Sequence, residues 1–171
     1  MCIRDRTIRS DIEVVFMAVD SEQALLLRPQ LKFHRAGKVP LISTSHVYSG
    51  DPDASRDSDL TGVQYNDIPW TLTDATNGSP LFTTISEGHQ DSIQKLIALG
   101  IDAYYLHSQI ENMRLDPTLS LNGKTGDLSL GEGNRIKRRL EWAEFQEGVP
   151  VKISDALPLE IPTLPPLQGN L

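Results

Sequence analysis

The sequence predicts an α/β fold: a parallel sheet with flanking helices. Three observations predict it. Residues 12–19, Ile-Glu-Val-Val-Phe-Met-Ala-Val, form a nearly continuous apolar run rich in β-branched side chains, the pattern of a strand buried on both faces. Helical spacing follows, and then a second apolar segment, Val39-Pro40-Leu41-Ile42-Ser43. Strand, helix and strand within about thirty residues make a βαβ unit, whose crossover sets the two strands parallel.

The first helix is expected after Asp20 and Ser21, both suited to cap it, with Ala24, Leu27 and Leu31 on its apolar face and Gly37 at its end. Pro29 should kink it, because proline cannot donate to the Leu25 carbonyl. Residues 44–59 are polar and punctuated by Gly50 and Pro52, so they form a long loop after a parallel strand, where open α/β sheets place their ligand crevice. Residues 62–65 give another short strand and lead into Asp67-Ile68-Pro69-Trp70, and residues 73–79 form a loop of small polar residues.

Two helices are then predicted. Asp91 caps one, with Ile93, Leu96 and Ile97 as its stripe and Gly100 as its terminal glycine. Asp102 caps the other, in which Ala103, Leu106, Ile110 and Met113 recur. Beyond Pro117 the pattern changes to short strands. These are Ser120-Leu121, a turn over 122–126, residues 127–130, a turn over 131–134, a strand over 139–145 with Leu140 and Trp142 inward, and Val149 to Ile153.

Length and composition bound the rest. With 171 residues the chain makes one ordinary domain, and a chain of that size buries roughly 70% of its unfolded surface. The 39% hydrophobic and 23% charged content is that of a globular protein. A net charge of −7 disfavours nucleic acid and anionic lipid as partners. No apolar run approaches the ~20 residues of a membrane-spanning helix. Cys2 is the single cysteine, which excludes an internal disulfide and a cysteine-based zinc site. Residues 1–6, Met-Cys-Ile-Arg-Asp-Arg, read as an adapter-derived artefact, and residues 7–153 as the C-terminal part of a longer protein's domain. Residues 154–171 carry Pro158, Pro162, Pro165 and Pro166 and are expected to form a mobile tail, or alternatively a proline-motif docking peptide.

No catalytic constellation stands out. His34, His46, His89 and His107 lack metal-ligand spacing, and no Gly-x-Ser-x-Gly elbow supports a nucleophile near His46. Asn122-Gly-Lys-Thr-Gly resembles a truncated phosphate loop, yet a β segment follows where a helix is needed, so a tight turn explains it better. Asp51/Asp53 and Asp57/Asp59 lack the spacing of a calcium loop. The basic run Arg135, Lys137, Arg138, Arg139 suits either a phosphate or acidic partner, or a solvated strand edge guarded against aggregation. Trp70 and Trp142 suit core or rim packing more than a binding platform. No cofactor and no metal is expected.

The βαβ start, crevice loop, late helices and closing hairpin resemble the back half of a type I periplasmic-binding-protein fold. Asp102-Ala103-Tyr104 and Gly123-Lys124-Thr125-Gly126-Asp127-Leu128 match its order. The stretches 28–33, 43–50 (Ser-Thr-Ser-His-Val-Tyr-Ser-Gly), 60–70 (Leu-Thr-Gly-Val-Gln-Tyr-Asn-Asp-Ile-Pro-Trp) and 99–104 are similar to the LppC/LpoA family. The resemblance extends over about residues 11–153 and implies an incomplete, C-terminal part of the two-lobed fold. It also implies a non-enzymatic regulator of peptidoglycan synthesis, an outer-membrane lipoprotein facing the periplasm, that activates the transpeptidase of a class A penicillin-binding protein by contact. Membrane association would run only through a lipid anchor absent from this segment. The alternative is a periplasmic solute-binding receptor for an amino acid or small peptide, with Ser43, Ser45, His46 and Tyr48 as its ligand shell. Chemistry alone places the contact residues at Ser43, Ser45, His46, Tyr48, Tyr65, Asp67 and Trp70, since loop aromatics are favoured interface anchors.

Overall fold

A computed structural model describes residues 12–50, 53–74, 78–86 and 91–154. The expected artefact at 1–6 and the proline-rich residues beyond Ser154 lie outside the described residues.

The βαβ unit forms, but its first strand is shorter than the apolar run of residues 12–19 and is buried on one face only, with Phe16 63% exposed on the other. Strand β1 (Val15–Met17) leads into helix α1 (Ser21–Phe33), then strand β2 (Leu41–Ser43), parallel to β1 with Val15 opposite Leu41. Asp20 caps α1, its carboxylate accepting from the Gln23 amide at 2.8 Å. The helix passes through Pro29 and stops at Phe33, and Arg35, not Gly37, takes the left-handed turn that follows. Strand β3 (Val63–Asp67) adds in parallel to β2. Strands β7 (Glu141–Gln146) and β8 (Val149–Ile153) extend the sheet antiparallel, in the order β1-β2-β3-β7-β8. The sheet is therefore mixed: the parallel half follows the crossover helix, β7 returns antiparallel to β3, and the tight Gln146–Gly148 turn sets β8 antiparallel to β7.

One face of this sheet carries the main core. Met17, Leu41, Val63, Tyr65, Ala143 and Phe145 point the same way, and α1 covers them through Ala24 and the partly buried Leu25, Leu27 and Leu31. Burying each large side chain contributes about 1.5–3 kcal/mol. The buried face of β7 is thus Ala143 and Phe145, while Trp142, expected inward, is half-buried on the opposite face. Arg28 pins α1 to the following loops, donating to the carbonyls of Gly37 and Thr61 at 3.4–3.5 Å. Burial pulls its pKa down, and the Asp59 carboxylate opposes that shift.

After β3 a π-helical turn (Trp70–Asp74) and a short helix α2 (Pro80–Ser86), absent from the sequence-based expectation, lead to helix α3 (Asp91–Leu115). Helix α3 is one element of 25 residues where two were expected. Gly100 lies inside it, and Asp102 is no cap. A second, antiparallel sheet follows, in the order β4 (Ser120–Asn122), β5 (Asp127–Leu130), β6 (Ile136–Arg139). The strand expected over 139–145 is two strands: the chain leaves the small sheet at Arg139 and enters the large one at Glu141, with Leu140 between them.

Candidate functional site

Parallel strands open their ligand crevice at their C-terminal ends. Ser43 and Asp67 are the last residues of β2 and β3, and Tyr65 is the cross-strand partner of Ser43, so topology brings these three to one sheet end. Their side chains are committed to the fold. The Ser43 hydroxyl donates to the Met17 carbonyl at 2.8 Å, tying β2 to β1. Tyr65, Tyr48 and Phe145 pack ring on ring, with centroids 5.2–6.1 Å apart. Trp70 belongs to a second core with Ile68 and Ala98, its ring 5.2 Å from Phe82. At 4%, 0% and 0% exposure, Tyr48, Tyr65 and Trp70 cannot serve as outward anchors. For the two tyrosines the physical reason is local: the 3₁₀ turn at Ser45–Val47 and the alternation of β3 direct their rings inward. His46 is the exposed member of the set, with Ser45 partly exposed beside it and the Thr44 hydroxyl 3.5 Å from its Nδ1.

Asp67 holds two elements together. One carboxylate oxygen accepts from the Ile68 amide at 2.8 Å, and the other pairs with Lys95 Nζ at 3.0 Å, linking the end of β3 to α3. A comparable link escaped the sequence reading. Asp102, buried mid-helix, accepts from the Lys124 amide at 2.6 Å, the Thr125 amide at 2.7 Å and the Thr125 hydroxyl at 2.6 Å. It therefore clamps the β4–β5 turn onto α3. A Cβ at Gly123 would sit 2.6 Å from the Asp102 carboxylate, so this position has no room for a side chain. A Cβ at Gly126 would meet the Arg139 carbonyl, and its φ of +138° is one that L residues rarely adopt. The Gly-Lys-Thr-Gly segment is thus a turn held by a carboxylate, not an anion cradle. A buried acid on a helix, followed by Gly-x-Thr-Gly, was the only signal in the sequence, and capping chemistry masked it.

Asp53 and Asp57 are likewise structural: Asp53 accepts from the Ser55 and Arg56 amides at 3.0 Å, and Asp57 is paired with Arg56 at 2.8 Å. Among the described residues no group of three His, Cys, Asp or Glu is placed to hold a metal.

A cleft of about 460 Å³ lies where the two sheets meet, lined by Pro69, Asn122, Asp127, Arg139, Glu141 and Lys152 among others. None of these belongs to the predicted set. Its charges are paired across it: Arg139 with Asp127 at 2.7 Å, Lys152 with Glu141 at 2.5 Å, while Thr73 donates to Glu141 at 2.7 Å. Such an arrangement fastens the strand switch at Leu140.

Mixed sheet, crossover helix and closing hairpin define a periplasmic-binding-protein-like α/β fold. Two solved structures share it. The LpoA (YraM) C-domain from Haemophilus influenzae, described as a regulator of PBP1A, superposes with TM-score 0.71 at 22% identity, over 85% of this chain and 46% of that one. A protein from Chromobacterium violaceum described as "a putative branched-chain amino acid ABC transporter" gives TM-score 0.59 at 31% identity, over 77% and 42%. The chain belongs to the family described as "LppC putative lipoprotein", whose profile matches residues 2–148. Curated relatives named penicillin-binding protein activator LpoA include those of Klebsiella pneumoniae, 28% identical over 140 residues, and Vibrio vulnificus, 33% over 143 residues. Each match covers 80% of this chain, and the chain spans only 20% and 23% of those relatives' lengths. No helix among the described residues is long and apolar enough to cross a membrane.

Proposed function

We propose that this chain is the C-terminal part of a non-enzymatic regulator of peptidoglycan synthesis, which contacts a class A penicillin-binding protein and favours its transpeptidase activity at the periplasmic face of the outer membrane. One observation carries the reading: four-fifths of the chain aligns with proteins named as activators of penicillin-binding proteins. An activator of this kind works by binding one conformer of its target more tightly than another, and a preference of about 1–3 kcal/mol suffices for a roughly 5–150-fold bias.

The test is a chimera. Residues 7–153 replace the matching segment of the Vibrio vulnificus relative, and cross-linking by its purified synthase is measured. Retained stimulation supports the proposal; a chimera that folds and binds the synthase yet leaves cross-linking at its basal level rejects it. Of the predicted contact residues, the solvent-facing Ser45–His46 rim remains available to a partner. His46→Ala in the chimera should weaken synthase binding about fivefold, the ~1 kcal/mol that marks a contributing interface residue.

The likeness to the transporter-type protein keeps a solute-binding reading in view. A thermal-shift panel of amino acids and small peptides on the same chimera separates the two, since stabilisation by a free solute favours the receptor.

A further inference from the structure

On a chain of net charge −7, four cations fall within five positions: Arg135, Lys137, Arg138 and Arg139. All but Arg135 lie in β6, the outer strand of the small sheet, which pairs only with β5 among the described residues. Every residue of β6 is exposed. In the register of the pair, Arg139 stands opposite Asp127 and Lys137 opposite Ser129, so both side chains share one face. Arg135 is extended (φ −90°, ψ 132°) and continues that series two residues earlier. Arg138 and Ile136 lie on the other face with Leu128 and Leu130. The result is a row of three cations about 7 Å apart along an open strand edge. Arg139 pairs with Asp127 while 83% exposed, and Arg135 and Lys137 have no carboxylate partner among the described residues.

We propose that the outer edge of β6 docks an acidic, extended segment of a partner protein, which adds as a strand and sets carboxylates at alternate positions against Arg135, Lys137 and Arg139. Two features meet here that separately would mean little. The free edge offers alternating N–H and C=O groups, which only a polypeptide strand matches; a glycan or a phosphate polymer does not. The cation row then chooses among strands. It repels the β6 edge of a second copy, so the charges that guard against self-pairing also select an acidic partner. Beside the row, an open groove of about 620 Å³ bordered by Met113, Arg114, Leu130 and Lys137 leaves space for a side chain at the end of the docked segment. The inference deepens the regulator reading by giving the chemistry of a contact surface, and its test uses no synthase.

Fluorescence anisotropy would follow binding of the 171-residue chain to labelled peptides. The probes are an alternating Glu-Thr peptide, its Lys-Thr counterpart, and a Glu-Pro version of equal charge that lacks every second backbone donor. Glu-Thr should bind, Lys-Thr should not, and Glu-Pro should bind at least about tenfold more weakly. Amide hydrogen exchange should show β6 protected by Glu-Thr alone. The triple variant Arg135→Glu, Lys137→Glu, Arg139→Glu, with unchanged circular dichroism, should reverse the preference and take up Lys-Thr. Absence of Glu-Thr binding overturns the proposal. So does equal binding of Glu-Pro or of inorganic polyphosphate without protection of β6, which would mark a general polyanion patch. Binding in this assay together with a chimera that fails to stimulate its synthase would count against the regulator reading and leave the docking edge standing.

Discussion

Asp102 and Gly123 form a lock that neither residue makes alone. The carboxylate gathers three donors from the β4–β5 turn, and the missing side chain at Gly123 lets the turn approach within contact of it. Asp102→Ala strands a buried amide and hydroxyl and should cost about 3 kcal/mol or more. Gly123→Ala should cost about 1–3 kcal/mol by overpacking, since its φ lies outside the left-handed region and steric conflict is the whole effect. The conflict disappears when the carboxylate does, so the double variant should be clearly less destabilised than the sum. Urea unfolding midpoints of the four proteins check this, and additivity would show that the two residues act separately. Asp116 gives a pH-dependent counterpart. The Thr118 hydroxyl and amide, at 2.6 and 2.9 Å, hold its carboxyl below the ordinary value of 3.8. A depressed acid adds stability above its unfolded-state pKa and loses it as pH falls through the folded value. In Thr118→Val, NMR titration should find the Asp116 pKa moved back up toward 3.8.

Helix α3 shows why element boundaries mislead. Gly100 followed by Asp102 has the chemistry of one helix ending and another beginning, yet tertiary contacts carry the helix straight through. The Lys95 pair with Asp67 holds its first half to β3, and Asp102 holds its second half to the hairpin. With both halves fixed, only helical backbone spans the gap. Space around Gly100 is open, with nothing within 4 Å of an added Cβ. Gly100→Ala should therefore stabilise the chain by roughly 0.5–1 kcal/mol, read from its denaturation midpoint. A terminal glycine would give the opposite sign, so the experiment distinguishes the two descriptions. The split at Leu140 is a similar case: an unbroken strand-like pattern serves two sheets because the backbone turns between them without any Gly or Pro.

Over the whole molecule the two cores are unequal. The larger lies between α1 and the sheet, and the smaller, around Trp70, sits where α3 meets the large sheet. The face of α3 away from both is apolar and open, with Leu96 66% exposed, Leu99 52% and Tyr104 77%. Residues spaced this way on a surface helix contribute little to folding of the chain that carries them. Leu96→Gln with Leu99→Gln should leave the unfolding free energy within about 0.5 kcal/mol, while lowering binding of a hydrophobic dye such as ANS. A marked loss of stability would mean that this face is packed in solution.

Fold class, the βαβ start, the turn over 122–126 and the relationship to the LppC family were all legible in the sequence. Apolar periodicity and turn residues are local properties, and family-specific words such as Thr-Ser-His-Val-Tyr-Ser-Gly survive in one chain. The direction of each side chain was not legible. Tyr48 and Tyr65 read as contact anchors, and Trp70 as core or rim packing more than as an anchor, until the tertiary structure buried all three. Lys95, which pairs with Asp67, Lys124 and Thr125, which donate to Asp102, and Thr73, which donates to Glu141, each lie 22 or more residues from their partner and were beyond any local pattern. Burial and pairing depend on what the rest of the chain brings alongside, and for these residues only the tertiary structure decided between scaffold and contact surface.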